Sequence, residues 1–327
     1  MHLKTTAARP SWGQTFFRSL TVLALLPAVS ACGLRPVHAP AATPPAVDGT
    51  HALRLATAFT ALGPRPAGSP GARQAAAWIA ARCRDYGYVP EIDTWTEAPA
   101  GTRLTFRNIL ARLPGRAPGR ILIASHYDTK VLPDAPVFAG ANDSASSTGL
   151  LLELMRAFAK LQPAWAGPTL EFAFFDGEEC LDRYSATDGL RGSSRLAARL
   201  RDTGAAREYR AMILLDMVGD RDLKLTLPVD TDPGLARRLL RLAGRRGWDS
   251  HVGFHSGAML DDHAPFQELG IPAVDLIDFA YGPDNSWWHS AEDTADKLSA
   301  ASLAGVGQLA ADLAADVAGA PSPDFDR

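Results

Sequence analysis

The sequence predicts a three-layer α/β/α sandwich around a mixed, mostly parallel central sheet. Short apolar runs typical of buried strands alternate with segments whose apolar residues recur at helical spacing. Such alternation is typical of a sheet covered by helices on both faces. We find no internal repeat and no second linker after His51, so one catalytic domain is expected over residues 51–320. The 327 residues, 46% of them hydrophobic, can bury a core of that size.

The expected elements follow in chain order. Apolar residues recur at helical spacing over 52–62, and an Ala-rich helix over 69–87 ends at Gly87. A helix over 144–161 follows Asp143, which we expect to be its capping residue. An amphipathic helix over 300–319 closes the domain. Alternation or short apolar runs predict strands over 104–113, 120–125, 169–175, 211–215 and 272–277.

The first 50 residues are expected to lie outside the fold. The apolar stretch 19–29 follows basic residues and is too short to span a membrane. Small residues then precede Cys32, which indicates a bacterial lipoprotein signal over 1–31 and a lipidated Cys32. An ordinary signal peptide with a chance cysteine is the alternative. Residues 32–50 are rich in Pro and Ala and predict an extended tether, and a disordered tail is expected over 321–327.

This signal also predicts where the protein resides. Gly33 rather than aspartate follows Cys32, so we expect a periplasmic lipoprotein anchored to the outer membrane, touching the membrane through its lipid only. The formal net charge of −3 and the lack of a long basic stripe exclude a nucleic-acid partner. We expect a monomer. Cys83 and Cys180 could pair in an oxidising compartment, or remain two separate buried thiols.

Polar side chains follow the predicted strands where each strand ends. In parallel sheets these ends meet at one edge, which is where ligands bind. Crowded carboxylates raise one another's pKa unless a cation neutralises them, and Asp, Glu and His together suit zinc. The side chains at strand ends are His126, Asp128, Asp176, Glu178, Glu179, Asp216 and Asp275, and loops add Asp143, Asp261, His263 and His289.

The adjacent carboxylates of Glu178 and Glu179 predict two different roles. If Glu179 binds a metal, Glu178 is held just outside the ligand set, where it can act as a general acid/base. The alternative is a pair of solvent-exposed glutamates at the start of a loop. The buried strand directly before them disfavours that alternative.

Several segments together resemble the zinc-dependent glutaminyl cyclases, which share the α/β fold of the zinc aminopeptidases. The resemblance covers essentially everything from about residue 51 to the end. The segments that carry it are "SHYDTK", "GANDSASSTGLLLELMRAF", "FAFFDGEE", "ILLDMVG", "LDDHAPFQELGIPAVDLI" and "WWHSAEDT".

The resemblance implies one zinc ion and a reaction. The enzyme would convert the N-terminal glutamine of peptides or proteins to pyroglutamate, with release of ammonia and with Glu178 as general acid/base. Asp216 and Asp261 match carboxylates of a hydrogen-bond network beside the metal. The positions that match zinc ligands are Asp143, Glu179 and His289.

The resemblance also implies a glutamine pocket and several departures. Trp288 matches an aromatic residue that lines the pocket. Tyr184 stands where animal cyclases carry a tryptophan at the pocket mouth, and Asp275 stands where they carry a histidine. Ser125 and Thr148 replace a disulfide pair of those enzymes, so this bridge should be absent.

A two-zinc aminopeptidase is the main alternative. There His126 and Asp216 would bind a second zinc, Asp143 would bridge the two ions, and the glutamate beside the ligand would activate water. "DDHAPF", "HYDTK", Trp288 and Asp275 favour the cyclase. A binding protein with a dead site is disfavoured because the acid/base and all ligands are present. His126, Asp128 and His263 are expected either to bind a second metal or to orient neighbouring residues of the site. Asp128 would do so by accepting a hydrogen bond from His126.

Overall fold

The computed structural model describes residues 43–135, 137–185 and 187–320. The predicted signal segment, Cys32 and the predicted tail lie outside the described residues. Within the described part of the chain, the helices are all too short or too polar to cross a bilayer.

A central sheet of eight strands organises the fold. Its order is β1-β2-β4-β3-β5-β8-β6-β7. The middle strands β4, β3, β5 and β8 are parallel, whereas β1 and β2 form an antiparallel edge and β6 runs antiparallel to β8. The strands are β1 Glu91–Glu97, β2 Leu104–Leu113, β3 Arg120–His126, β4 Thr169–Phe175, β5 Tyr209–Asp216, β6 Leu225–Leu227, β7 Val252–Phe254 and β8 Ala273–Ile277.

Helices cover both faces of the sheet, which confirms the three layers. Side chains alternate across each strand, so Ile123 of β3 joins one core and Leu122 joins the other. One core packs α1, α2, α3, α5 and α7 against the sheet, and the smaller one packs α4 and α6. The helices are α1 Gly49–Thr60, α2 Pro70–Asp85, α3 Ser147–Ala159, α4 Arg191–Thr203, α5 Pro233–Arg245, α6 Ala264–Gln267 and α7 Ala300–Gly319.

The prediction that Asp143 caps α3 is wrong. The helix begins at Ser147, and Asp143 has φ −107° and ψ 85°, outside the helical region. The backbone amides of Asn142 and Asp143 donate to the carboxylate of Asp293, at 2.7 and 3.1 Å. This distant partner holds Asp143 in a separate turn, so its side chain is free for another role.

The closing helix α7 has the predicted bounds and a polar stripe. Gln308, Asp312 and Asp316 recur at four-residue spacing, and both aspartates accept hydrogen bonds from arginine side chains. The stripe is partly covered, because every residue from Leu309 to Ala315 is buried where the helix packs against α1, α3 and α5.

Candidate metal centre and active-site cavity

The carboxyl ends of three parallel strands bring the polar side chains together, as expected from the sequence. Strand β3 ends at His126 and β5 ends at Asp216. After β4 the chain turns at Gly177, whose φ of 73° favours glycine, and this turn presents Glu178 and Glu179.

Asp143, Glu179 and His289 form what we call the outer donor set. His289 Nε2 lies 3.2 Å from Asp143 Oδ2 and 3.1 Å from Glu179 Oε1. The ligand atoms of all three residues lie within 4.8 Å of one another. Tetrahedral zinc ligands at about 2.0–2.2 Å from the ion are about 3.3 Å apart, so this donor set fits zinc in both chemistry and spacing.

His126, Asp143 and Asp216 form what we call the inner donor set. His126 Nε2 lies 3.2 Å from Asp143 Oδ1 and 3.1 Å from Asp216 Oδ1. The His126 side chain is only 2% exposed, whereas that of His289 is 21% exposed. Donor spacing alone therefore permits a metal at either set, but only the histidine of the outer set has substantial access to solvent.

The two histidines set the charge of Asp143. Burial by itself raises the pKa of Asp143, but hydrogen bonds with His126 and His289 hold it below its ordinary value. Burial lowers the pKa of His289, yet Asp143 and Glu179 reverse that effect and raise it to about 10. Without a cation, a proton on His289 thus partly neutralises the outer donor set. A metal would displace that proton.

Burial raises the pKa of both glutamates that follow β4. The pKa of Glu178 lies well above its ordinary value, and that of Glu179 is raised by burial and by Asp143. Their backbone amides donate to the Asp128 carboxylate, at 3.1 and 3.3 Å. Asp128 does not accept the expected hydrogen bond from His126, whose Nδ1 is 3.6 Å away. Asp128 therefore braces the turn and does not orient the histidine.

A cavity of about 310 Å³ opens beside the outer donor set. Trp288 stacks on His289, with ring centroids 4.0 Å apart and an interplanar angle of 21°. The Tyr184 hydroxyl donates a hydrogen bond to Glu178 Oε1. Asp216 and Asp261 also line the cavity, with Met259, Ile277 and Phe279 among the apolar lining residues.

Asp275 does not reach the cavity, contrary to its expected place in the substrate pocket. It is fully buried, two residues before the lining residue Ile277 on β8. Both side chains point to the same face, but Asp275 lies about 7 Å deeper along the strand. Its Oδ2 is 4.0 Å from Nδ1 of His263, which is also fully buried. These two residues lie beside Asp261, the member of the group that reaches the cavity.

Electrostatics distinguish Asp261 from its buried neighbours. Burial and the nearby Asp216 raise the pKa of Asp261 to about 6. Burial raises the pKa of Asp275 well above its ordinary value and lowers that of His263. Asp261, His263 and Asp275 also have ligand atoms within 4.8 Å of one another.

The sequence reasoning missed Arg65, which is fully buried beneath the Asp143 segment. Its guanidinium donates to the carbonyls of Tyr127, Ala139 and Gly140, at 3.0, 2.7 and 3.3 Å. It also lies over the Phe59 ring, 4.5 Å from the centroid. No local pattern around "GPRPAG" signals these hydrogen bonds, because all hydrogen-bond partners of Arg65 except Gly63 lie more than sixty residues away.

Asp293 and Lys130 are further residues that the sequence reasoning missed. Asp293 holds the Asp143 segment and accepts a hydrogen bond from Tyr281 at 2.7 Å. Lys130 lines the cavity, with Nζ 3.6 Å from Glu179 Oε2. Asp293 stands in "WWHSAEDT" and Lys130 in "SHYDTK", so both lie inside segments that the resemblance had already marked.

The cysteines are separate thiols. Cys83 and Cys180 are both free and buried, which confirms the alternative without a disulfide. Ser125 instead donates to Ser147 at 2.9 Å, and Thr148 donates to the carbonyl of His126 at 3.0 Å. Hydrogen bonds therefore tie β3 to α3 where animal cyclases carry a disulfide.

Comparisons with known proteins agree with this site. A family model described as Peptidase family M28 matches residues 108–314, a range that contains both donor sets. Glutaminyl-peptide cyclotransferase of Bos taurus is 30% identical over 272 residues, 71% of this chain and 72% of that protein. The solved glutaminyl cyclase of an Acidobacteriales bacterium is 35% identical with a TM-score of 0.77, covering 84% of this chain and 96% of that one. The solved glutaminyl cyclase of Porphyromonas gingivalis is 26% identical with a TM-score of 0.72, covering 83% of this chain and 98% of that one.

Proposed function

The chain belongs to peptidase family M28, and we propose that it is a glutaminyl-peptide cyclotransferase. It converts the N-terminal glutamine of peptides and proteins to pyroglutamate and releases ammonia. Membership of this family, together with the cyclase relatives, implies a zinc-dependent enzyme. The observation that carries the proposal is that Glu178 faces the same small cavity as the outer donor set, Asp143, Glu179 and His289.

The outer donor set is the proposed place of a single zinc ion. When bound, zinc supplies Lewis-acid polarisation of the side-chain amide carbonyl of the substrate. The fit rests on the donor distances of 3.1 and 3.2 Å and on the open side of the set toward the cavity.

Glu178 is the proposed general acid/base. It accepts a proton from the α-amine as that nitrogen attacks the side-chain amide carbon and forms the ring bond. It then gives a proton to the departing nitrogen as the carbon–nitrogen bond of the amide breaks, so ammonia leaves. The raised pKa of Glu178, caused first by burial, favours a carboxylate that both takes up and returns a proton.

Asp216 and Asp261 are the proposed partners of the α-amine. Both carboxylates line the cavity with Glu178, so the wall that meets the substrate's N-terminus is acidic. Such a wall attracts an amino group and orients it toward the amide. Burial and Asp216 raise the pKa of Asp261 to about 6, so this carboxylate is mostly ionised at neutral pH and can attract the amino group.

The walls of the cavity suit one glutamine side chain. Its volume of about 310 Å³ lies at the small end of the range for ligand pockets, which is about 300–1,000 Å³. Trp288 and Tyr184 provide aromatic walls, and these exclude water that could hydrolyse the amide. A small pocket that holds both ends of one residue favours intramolecular attack.

The inner donor set is the observation that favours a two-zinc aminopeptidase as second candidate. Its donors are also close enough for a metal, with Asp143 shared between the two sets. However, His126 Nε2 is already placed between Asp143 and Asp216 and is almost fully buried. The outer set has the same donor spacing, so the burial of His126 is what disfavours a second metal.

Product analysis of one peptide separates the two candidates. The fragment from about Asp48 onward, loaded with zinc, is incubated with a short peptide that begins Gln-Phe. We expect loss of ammonia with the peptide chain intact, and Glu178→Gln should slow it by about 10²–10⁴-fold. Release of free glutamine would contradict the cyclase and support the aminopeptidase.

We also propose that the enzyme is a monomeric lipoprotein on the periplasmic side of the outer membrane, acting on peptides or proteins there. The apolar stretch 19–29, the small residues before Cys32 and the Pro-rich segment after it support this location. Mass spectrometry of the membrane fraction tests it, with a diacylated N-terminal Cys32 as the expected result.

A further inference from the structure

We propose that Tyr184 is a positioning residue for the general acid/base Glu178, through the hydrogen bond from its hydroxyl. This inference rests on the proposed function, since it assigns a partner to the acid/base of that reaction. It goes beyond the role of Tyr184 as a pocket wall, because it gives the hydroxyl and the ring separate tasks.

Among the described residues, Tyr184 is the one whose side chain forms a hydrogen bond with the Glu178 carboxylate. The hydroxyl donates to Oε1, whereas Oε2 is 3.8 Å from the nearest cation, His126 Nδ1, and accepts no hydrogen bond in that part of the chain. A carboxylate held at one oxygen cannot exchange its two oxygens by rotation. Oε2 is thereby left to take up and return the proton of the reaction.

The loop that carries Tyr184 is held at its C-terminal end by the segment that carries Glu178. We call residues 180–185 and 187–190 the Tyr184 loop. The amide of Leu190 donates to the carbonyl of Glu178 at 2.9 Å, and that of Arg191 donates to the carbonyl of Gly177 at 2.8 Å. Tyr184 and Glu178 are thus fixed relative to each other by backbone hydrogen bonds.

Asp188 organises the interior of the Tyr184 loop. Its carboxylate accepts the backbone amides of Leu181, Asp182 and Arg183, at 2.9, 2.9 and 3.1 Å. Ser185 and Asp188 also exchange two backbone hydrogen bonds, at 3.0 and 3.1 Å. The turn that presents Tyr184 therefore does not depend on the Glu178 contact for its shape.

Gly189 leaves the space in which the Tyr184 ring packs. A Cβ at this position would lie 2.7 Å from the carbonyl oxygen of Glu178 and 3.0 Å from the Tyr184 ring. Only a residue without a side chain lets the ring pack this closely against the backbone.

Steady-state kinetics of matched variants test the proposal. Tyr184→Phe removes the hydroxyl and keeps the ring, and Tyr184→Trp keeps an aromatic residue at this position without a hydroxyl that reaches Oε1. Thr187→Ala changes the same loop at an exposed residue and serves as the control. Rates are measured with the Gln-Phe peptide, and zinc content and melting temperature are measured for every variant.

We expect kcat to fall about tenfold or more in both Tyr184 variants, the scale of a hydrogen bond to a charged group. KM should stay within about twofold, zinc content should not change, and Thr187→Ala should match the wild type. A wild-type kcat in Tyr184→Phe, or a loss confined to KM, overturns the proposal. If Tyr184→Phe is unstable, the same criteria apply to Tyr184→Trp. A zinc-loaded wild type that does not cyclise the peptide overturns the proposed function itself.

Discussion

The outer and inner donor sets contain the same kinds of residue, share Asp143 and have the same donor spacing, but their histidines differ in access to solvent. His289 of the outer set faces the cavity, whereas His126 of the inner set is enclosed between Asp143 and Asp216. Side-chain chemistry alone therefore does not identify a metal site. The set that keeps an open side toward a cavity can hold both an ion and a substrate.

Replacing the histidine of each set in turn should give the largest difference between the two sets. We expect His289→Ala to lose stoichiometric zinc and all measurable cyclisation, because the outer set would retain only two ligands. His126→Ala should retain about one zinc per chain. Metal analysis of both purified variants checks this. A His126→Ala protein that loses zinc while His289→Ala keeps it would contradict the assignment.

Glu178→Gln tests the carboxylate that lies beside the outer set but does not belong to it. We expect kcat to fall by about 10²–10⁴-fold, the usual contribution of a general acid/base. Zinc content should be unchanged, in contrast to Glu179→Gln, which removes a ligand. Equal zinc loss in the two variants would contradict the assignment of Glu179 as zinc ligand and Glu178 as general acid/base.

Trp288→Ala tests the wall of the cavity on the side of the outer set. We expect KM to rise about tenfold or more, because an aromatic wall that the glutamine side chain covers contributes roughly 1.5–3 kcal/mol. Initial rates over a range of peptide concentrations check this. The metal content serves as control, since Trp288 stacks on the ligand His289. An unchanged KM would place the substrate elsewhere in the cavity.

The two thiols extend the comparison to groups outside the donor sets. Cys180 lines the cavity, whereas Cys83 is fully buried and burial raises its pKa to about 12. At pH 8 Cys83 is therefore almost entirely protonated and should react slowly with iodoacetamide. Peptide mapping after brief treatment should find the label at Cys180 first, with protection by the substrate peptide. Earlier labelling of Cys83 would contradict the described burial.

The local sequence pattern predicted several strands and helices and the location of the site. The bounds of β2, β4 and α7 agree with the sequence, because alternation and apolar runs reflect burial directly. The ends of parallel strands also located the site, with Glu178, Glu179 and Asp216 where expected. Strands β1, β6 and β7 and helices α4, α5 and α6 were not predicted from the sequence, although all of them form in the structure.

Features that depend on distant partners could not be predicted in this way. Asp143 precedes a helix and is a residue type that often caps helices, but its backbone amide donates to Asp293, 150 positions away, and its side chain joins the two donor sets. Asp275 lies on the correct face of β8, yet its depth below the cavity follows only from the packed sheet. The role of Arg65 depends on carbonyls that the fold brings together.

A zinc titration of the metal-free enzyme tests the central claim most directly. The fragment from about Asp48 onward is stripped of metal, and ammonia release from a Gln-Phe peptide is measured as zinc is added. The account predicts that cyclisation rises linearly and saturates at one zinc per chain, with no free glutamine. Activity that requires a second equivalent and releases glutamine would contradict it and assign catalysis to both donor sets.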